Sequence, residues 1–336
     1  MSLLALGLVL RPSQAPTKAA PPSVQDFRID SPYLKETSGL AFSRANPGWI
    51  WVHNDSGDGP YLYAIGPKRK LRFRLRVRGA RSIDWEDLCI GKGPGGRPWI
   101  YIADTGRNIF GTSKGPASLV FAIPEPVIGK DLPLPPQGSP PPLYRSAFAS
   151  RFELHFFLSP KPSPREKELR PPNVESLFLF PGGKVLGLVE REFGGRARIY
   201  TFEPWVRYKK LPISHRVEAR LLTTIQIDGP TGRSRSISGA SVDPETRSLA
   251  LLGFLFLRIY ALPDPQAKDA GGPGGSSQPP KLLASFKLGR RGLHEAIDFL
   301  PGGGGVLYGS EGRPAIFTVL RFLPPNRPPS SPPHRK

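Results

Sequence analysis

The segment "TSGLAFSRANPGWIWVHND" (Thr37–Asp55) decides the fold, because its pattern returns four more times along the chain. It consists of a short polar motif, an apolar strand, a turn rich in Gly, Pro or Asp, and a second apolar strand. The related segments are "WEDLCIGKGPGGRPWIYIADTG" from Trp85, "VESLFLFPGGKVLGLVERE" from Val174, "ISGASVDPETRSLALLGF" from Ile237 and "HEAIDFLPGGGGVLYGSEG" from His294. Turn residues between two apolar runs are typical of β-hairpins, so the sequence predicts five hairpins of one kind.

Further apolar strands follow each hairpin. The third strands are predicted at 61–65, 118–123, 198–202, 257–262 and 315–320, and the fourth strands at 71–77, 151–157, 219–227 and 281–288. The fifth unit has no fourth strand of its own, and "VQDFRI" at 24–29 is predicted to supply it and to close the ring. Four strands in each of five units, without a helical pattern, predict an all-β, five-bladed β-propeller.

A sixth blade is the alternative, because the second and third hairpins begin far apart, at Trp85 and Val174. The Pro-rich stretch 124–142 lies in that gap and favours an insertion instead. We therefore predict one propeller domain over residues 24–322.

The two ends of the chain are predicted to lie outside the propeller, as a leader at 1–23 and a disordered Pro- and Arg-rich tail at 323–336. The leader has an apolar run at 3–10 followed by small residues, but it lacks the basic start of a secretory signal. It is either a signal peptide with a misassigned start codon or an unstructured leader. The sequence thus favours a secreted or cell-envelope protein and leaves the cytoplasm open.

Composition restricts the class of protein. The single cysteine, Cys89, excludes a disulfide framework, and no apolar stretch approaches the roughly 20 residues of a membrane-spanning helix. The formal net charge of +20 favours anionic partners, either a small molecule or a polyanion. The alternation of basic and apolar residues at 70–78 could bind a polyanion or could be a solvated outer strand. No nucleic-acid recognition motif accompanies it, so nucleic acid is disfavoured, and we expect a monomer.

Aligning the five hairpins places an oxygen-bearing side chain at one common position, just before the innermost strand. These residues are Ser38, Glu86, Glu175, Ser238 and Glu295. The innermost strands of a propeller line its central channel, so the five side chains should converge. Clustered carboxylates are costly unless protons or a cation neutralise them, and an all-oxygen donor set suits Ca²⁺. A calcium ion in the channel is therefore predicted; the alternative is a metal-free ring of hydrogen bonds between blades.

A second set of polar residues follows the second strand of each hairpin and should surround one mouth of the channel. The candidates are Asn54, Asp55, Asp104, Arg107, Asn108, Arg191 and Glu311. Asp55 and Asp104 are candidate general bases that would orient water. The arginines are candidate phosphate ligands, and Asn54, Asn108 and Glu311 are further substrate contacts. The alternative is a set of ordinary turn residues and ion pairs.

The five ring residues stand in the contexts "SGLA", "WEDL", "VESL", "ISGA" and "HEAI". This succession resembles that of calcium-activated nucleotidases of the apyrase type. The resemblance implies a five-bladed propeller that hydrolyses nucleoside di- and triphosphates, with the five ring residues as the shell of a central Ca²⁺. Asn54 and Asp55 would match that family's paired Asp after the first hairpin.

The segments "ETSGLAFSRANPGWIWVHNDSGD", "DWEDLCIG" and "YIADTGRN" are also similar to phytase-like, mostly secreted bacterial propeller proteins. The resemblance extends over residues 36–320. The chain departs from the nucleotidases at Asn54, which replaces an Asp, at Glu190-Arg191, which replaces a basic pair, and at Gly253-Phe254, which replaces a polar, basic tip. These departures bear on activity more than on the fold or the ion.

Three functions are thus in competition. The first is a calcium-dependent hydrolase of a phosphate ester or anhydride, such as a nucleotide or phytate. The second is a non-catalytic propeller scaffold with structural calcium that binds acidic polymers or a protein. The third is a metallo-propeller of the lactonase or esterase type.

Overall fold

The computed structural model describes residues 21–106, 117–136, 138–159, 166–192, 194–205, 211–229, 235–265, 279–289 and 293–322. Across these ranges the chain forms 21 strands and a 3₁₀ turn at Pro94–Gly96. In chain order the strands are β1 (Ser23–Ile29), β2 (Thr37–Phe42), β3 (Ile50–Asn54), β4 (Tyr61–Ile65), β5 (Leu71–Arg78), β6 (Trp85–Lys92), β7 (Pro98–Asp104), β8 (Leu119–Pro124), β9 (Leu143–Phe148), β10 (Ser150–Phe157), β11 (Val174–Leu179), β12 (Leu186–Glu190), β13 (Arg196–Phe202), β14 (Ser214–Gln226), β15 (Ile237–Asp243), β16 (Ser248–Gly253), β17 (Phe256–Ala261), β18 (Leu282–Lys287), β19 (His294–Phe299), β20 (Gly305–Ser310) and β21 (Ala315–Arg321).

The described strands form five antiparallel blades of four strands each. Blade 1 is β2–β5, blade 2 is β6, β7, β8 and β10, blade 3 is β11–β14, blade 4 is β15–β18, and blade 5 is β19–β21 with β1. The first strands β2, β6, β11, β15 and β19 lie side by side in that order, and β19 lies against β2. The ring is therefore closed, and the predicted β-propeller is confirmed.

The N-terminal strand closes this ring, as the sequence predicts. β1 pairs antiparallel with β21 along its whole length, from Ser23 opposite Arg321 to Ile29 opposite Ala315. The rings of Phe27 and Phe317 stack with their centroids 5.2 Å apart. Blade 5 is thus completed by a strand from the other end of the described chain.

The gap between the second and third hairpins is an insertion and adds no blade in the described part of the chain. Besides β8 and β10 of blade 2, the gap contains β9, which pairs parallel with β5 and becomes a fifth strand at the outer edge of blade 1. The outer strand of blade 2, β10, also pairs parallel with β14 of blade 3. None of the described residues forms a helix long and apolar enough to cross a membrane.

The core lies between the blades, because alternate residues of each strand face opposite sides of a sheet. Trp51 and Phe73 of blade 1 pack with Trp85 of blade 2 in one such layer, and all three side chains are fully buried. Burying one large apolar side chain stabilises the fold by about 2–3 kcal/mol. These layers hold the inner strands in place, which fixes the geometry of the channel.

Every blade carries a β-bulge at the second residue of its first strand. The pairing skips one residue between 37 and 39, 85 and 87, 174 and 176, 237 and 239, and 294 and 296. The skipped residues are Ser38, Glu86, Glu175, Ser238 and Glu295. A bulge re-aims the side chain of the extra residue. The five residues therefore occupy equivalent positions, but each lies inside its first strand, as the bulged second residue, and not just before the strand as predicted.

Candidate metal centre at the channel mouth

The two serines of this ring link neighbouring inner strands. The Ser38 hydroxyl donates to the carbonyl oxygen of Glu86 at 2.7 Å, and the Ser238 hydroxyl donates to that of His294 at 2.5 Å. Both serines are buried. These hydrogen bonds therefore stabilise the contact between neighbouring inner strands. The role of the two serines as metal ligands stays a prediction.

Arg191 lies at the position after the second strand of blade 3 and contacts two of the ring carboxylates. Its Nη2 lies 2.7 Å from Glu175 Oε2 and 3.6 Å from Glu295 Oε1. Its Nε donates to the carbonyl of Ile237 at 3.1 Å, and its guanidinium lies over the Phe254 ring at 5.2 Å. The Arg191 side chain, which is predicted to bind phosphate, thus contacts two carboxylates, a carbonyl and an aromatic ring of the protein. It positions Glu175 and Glu295.

Asp55 lies at the equivalent position of blade 1 and joins two groups of carboxylates. One group consists of Asp55, Asp84 and Glu86, and the other of Asp55, Glu295 and Glu311. Within each group, one oxygen of every member lies within 4.8 Å of the others. Two residues that follow a second strand, Asp55 and Glu311, therefore form one cluster with the bulged residues Glu86 and Glu295 and with Asp84, and Asp55 is common to both groups.

Burial raises the pKa of the carboxyl groups in this cluster. For Asp55 the pKa rises to about 6, because the group is largely desolvated and also faces the negative charges of Glu175 and Glu311. Burial, followed by the charge of Glu175, raises the pKa of Glu86 well above its usual value. Burial and the neighbouring Glu311 do the same for the pKa of Glu295. Without a cation, the cluster therefore retains protons at pH values where exposed carboxyl groups are ionised.

The donor set fits Ca²⁺. All ligand atoms in the two groups are carboxylate oxygens, which calcium prefers. Two oxygens bound to one Ca²⁺ at 2.3–2.6 Å lie at most about 5 Å apart, and the observed separations satisfy this limit. In addition, Asp55 Oδ1 is a buried atom that makes no hydrogen bond within the described residues. Such an atom is costly unless a proton or an ion occupies its free side.

Two predicted site residues support the cluster from outside. Asp104 Oδ1 accepts hydrogen bonds from the amides of Ile83 and Asp84 at 3.0 and 2.8 Å, and its Oδ2 lies 3.3 Å from Arg81 Nε. It thereby orders the turn that leads into Glu86. The interpretation of Asp104 as a catalytic base stays a prediction, and its observed contacts are structural.

Asn54 plays the corresponding part in blade 1. Its Oδ1 accepts from the amides of Lys35 and Glu36 at 3.0 and 3.3 Å, and its Nδ2 donates to the Tyr33 carbonyl at 2.7 Å and to Asp58 Oδ2 at 2.8 Å. Both oxygen and nitrogen of the amide are therefore used to hold the turn that presents Asp55. The predicted role of Asn54 as a substrate contact is not tested by these bonds.

Arg107 and Asn108, the remaining predicted substrate contacts, lie outside the described residues. Asp84 also belongs to the cluster. Aligning the five hairpins with one another does not identify it as a cluster member, because it precedes the bulged residue instead of being that residue. The signal was present in "DWED", where two acidic residues flank Trp85 and the second of them is the bulged Glu86. Residues two positions apart lie on the same side of an extended chain, so Asp84 and Glu86 could have been expected to lie near each other.

A substitution at Gly106 tests the packing of the cluster. A Cβ at this position would collide with Glu86 Oε1 and with the carboxyl group of Asp84. We expect Gly106→Ala to lower the free energy of unfolding by about 1–3 kcal/mol and to weaken calcium binding, as measured by calorimetric titration. Gly289→Ala is the control, because a Cβ there meets no atom within 4 Å. Wild-type calcium affinity in Gly106→Ala would contradict the placement of the ion beside Glu86.

No family model matches the chain, and no curated protein does. Among solved structures, a gluconolactonase of Xanthomonas campestris is similar at 12% identity and a TM-score of 0.39, covering 86% of this chain and 87% of that chain. The Swd1 β-propeller domain of Myceliophteria thermophila is similar at 11% identity and a TM-score of 0.44, covering 90% of this chain and 100% of that chain. The resemblance to apyrase-type and phytase-like proteins stays a prediction.

Proposed function

We propose that the protein is a calcium-dependent hydrolase whose reaction takes place at the carboxylate-rich mouth of the channel. The observation that carries this proposal is the convergence of two carboxylate groups on Asp55, with oxygens spaced for one cation. Cofactor, activity and substrate are all part of the proposal. The fold alone supports a hydrolase no more than a scaffold.

The residues of the cluster divide the work between holding the ion and moving a proton. When bound, Ca²⁺ would polarise the substrate carbonyl or phosphoryl oxygen and the attacking water. Asp55, whose pKa is about 6 in the metal-free protein, is ionised at neutral pH, and its Oδ1, which makes no hydrogen bond within the described residues, can accept a proton from water. Glu86 and Glu295 would hold the ion together with Asp55, and Arg191 keeps Glu175 and Glu295 oriented.

The many carboxyl groups at the channel mouth restrict the class of substrate that can bind there. Asp55, Asp84, Glu86, Glu175, Glu295 and Glu311 supply carboxyl groups there. Arg191 is paired with two of them, Glu175 and Glu295, and its guanidinium also donates to the Ile237 carbonyl. A negatively charged phosphate would be repelled by this cluster. The described residues therefore favour an uncharged lactone or carboxylic ester over the phosphate ester that the sequence resemblance suggests.

Elemental analysis and turnover together test this proposal. We expect purified protein to contain about one Ca²⁺ per chain and to hydrolyse lactones or aryl esters in calcium, with activity lost in chelator and restored by Ca²⁺. Nucleotides and phytate belong in the same panel, since their turnover would restore the phosphate hypothesis. A metal-free protein that is also unaffected by added Ca²⁺ would refute the calcium centre. A calcium-loaded protein with no turnover across the panel would refute the hydrolase and leave the ion.

A scaffold that binds a polyanion is the second candidate, because blade 1 has a basic outer edge. Arg76 of β5 lies directly opposite Arg145 of β9, and both are exposed. Neither makes an ion pair within the described residues. Like charges facing each other across strands are destabilising until an anion lies between them. Salt-sensitive retention on heparin that is lost in Arg76→Gln/Arg145→Gln, together with no turnover, would favour this function.

A further inference from the structure

The central channel has a second mouth, remote from the carboxylate cluster. Each first strand begins at its bulge and runs towards the hairpin turn, so β6, β11 and β15 all end at this far mouth. A cavity of about 400 Å³ opens there. Small-molecule sites in proteins typically measure roughly 300–1,000 Å³, so the cavity is large enough for a ligand.

The walls of this cavity are mainly apolar. Leu88 and Ile90 of β6, Phe178 and Leu179 of β11, and Val242 of β15 line it. A neighbouring cavity shares Lys92 and Gly183 with it and extends to Trp205. The second cavity also borders Lys184 and Glu203, so the apolar wall belongs to the first cavity.

Two cations stand at the rim. Arg44, in the turn between β2 and β3, and Lys92, at the end of β6, both line the cavity and are exposed. Neither makes an ion pair within 4 Å in the described part of the chain. Their charges are thus available to a ligand that enters from solvent.

Asp298 also lines the cavity, but its carboxyl group is bound into the wall. Its Oδ1 accepts from Ser241 Oγ at 2.6 Å and from the Phe299 amide at 2.9 Å, and its Oδ2 accepts from the Phe42 amide at 2.9 Å. Its bonds within the protein satisfy both oxygens. A ligand would therefore meet an apolar wall, a cationic rim and the hydrogen-bonded Asp298 carboxyl group, on which the charge of Arg44 also acts.

We propose that this far-mouth cavity binds an amphipathic anion, namely an aliphatic carboxylate of medium chain length. The alkyl chain would lie against Phe178 and Leu179, and the carboxylate would pair with Arg44 and Lys92. The site shares no residue with the carboxylate cluster and does not depend on calcium. It is therefore independent of the proposed hydrolase activity.

Calorimetric titration of the full, calcium-free chain with decanoate tests this site. We expect saturable binding of decanoate, weaker binding of decanol, which lacks the charge, and weakest binding of decylammonium, which reverses it. Arg44→Gln should weaken decanoate binding about threefold to tenfold, and Arg44→Lys should retain most of it. The matched control is Arg76→Gln, an exposed arginine on the outer edge of blade 1.

Two further measurements locate the ligand in the cavity. Leu179→Trp should fill the space and reduce decanoate affinity at least about tenfold, with a melting temperature that shows the chain still folds. Cys89, the single cysteine, lines the same cavity, so bound decanoate should slow its alkylation by N-ethylmaleimide. Equal binding of decylammonium and decanoate would overturn the proposal. Absence of saturable binding, or full retention of affinity in Arg44→Gln, would do so as well.

Discussion

Replacement of Asp55 by Asn is expected to abolish the stabilisation that Ca²⁺ gives to the protein and to lower hydrolysis at least about a hundredfold. Asp55 belongs to both carboxylate groups, so its loss removes a ligand from each of them at once. The amide is almost the same size as the carboxyl group, but it carries no charge and cannot accept a proton from water at neutral pH. The measurements are the melting temperature with and without Ca²⁺ and kcat/KM on whichever substrate wild type hydrolyses.

The metal-free form of this variant distinguishes loss of a site from loss of the fold. The pKa of Asp55 rises from 3.8 to about 6 on folding, so its ionised form costs the metal-free protein about 3 kcal/mol at neutral pH. In chelator at pH 7 we therefore expect Asp55→Asn to be more stable than wild type. Glu245→Gln is the control, because Glu245 is exposed in the turn between β15 and β16 and belongs to neither group. Wild-type calcium affinity in Asp55→Asn would exclude Asp55 as a ligand.

The alignment of the five bulged residues could be predicted from the sequence because it depends on local chemistry. Each hairpin has an apolar alternation and a turn of Gly, Pro or Asp, and such signals persist in every copy of a repeat. Once Ser38 and Glu86 are assigned to the starts of equivalent strands, the symmetry of the blades about the channel places them close together. The same reasoning recovered β1 as the closing strand, since blade 5 lacked a fourth strand.

The contacts within the cluster could not be predicted in this way, because they depend on side-chain directions in three dimensions. Arg191 is predicted to bind phosphate, and the structure shows in addition that its guanidinium contacts Glu175 of its own blade and Glu295 of blade 5. The choice between protein and ligand partners for a long, flexible side chain depends on which carboxylates lie within reach. The parallel pairings of β9 with β5 and of β10 with β14 are likewise non-local, and no turn signal marks them.

The pH dependence of stability is the second large effect, and its sign follows from the raised pKa values. In metal-free protein, Asp55 keeps its proton up to about pH 6 when folded, but loses it near 3.8 when unfolded. Between these values the folded state binds more protons, so its stability falls as pH rises, and the loss from Asp55 is complete above about pH 6. The pKa values of Glu86 and Glu295 are raised in the same direction, which extends the fall to higher pH. Calcium binds the ionised carboxylates, so the stabilisation by Ca²⁺ should be large at pH 7.5 and small at pH 4.5.

The net charge of +20 opposes this trend, because repulsion between basic residues grows as carboxyl groups elsewhere are protonated in acid. This repulsion is the same in wild type and in Asp55→Asn, so it cancels in the difference between their unfolding free energies. Urea denaturation of protein freed of calcium on a chelating resin should show that difference changing by about 2 kcal/mol between pH 4 and pH 7, with wild type becoming the less stable protein as pH rises. A difference that does not vary with pH would mean that Asp55 is not desolvated in the folded protein. The explanation of the cluster as a site that needs a cation would then lose its basis.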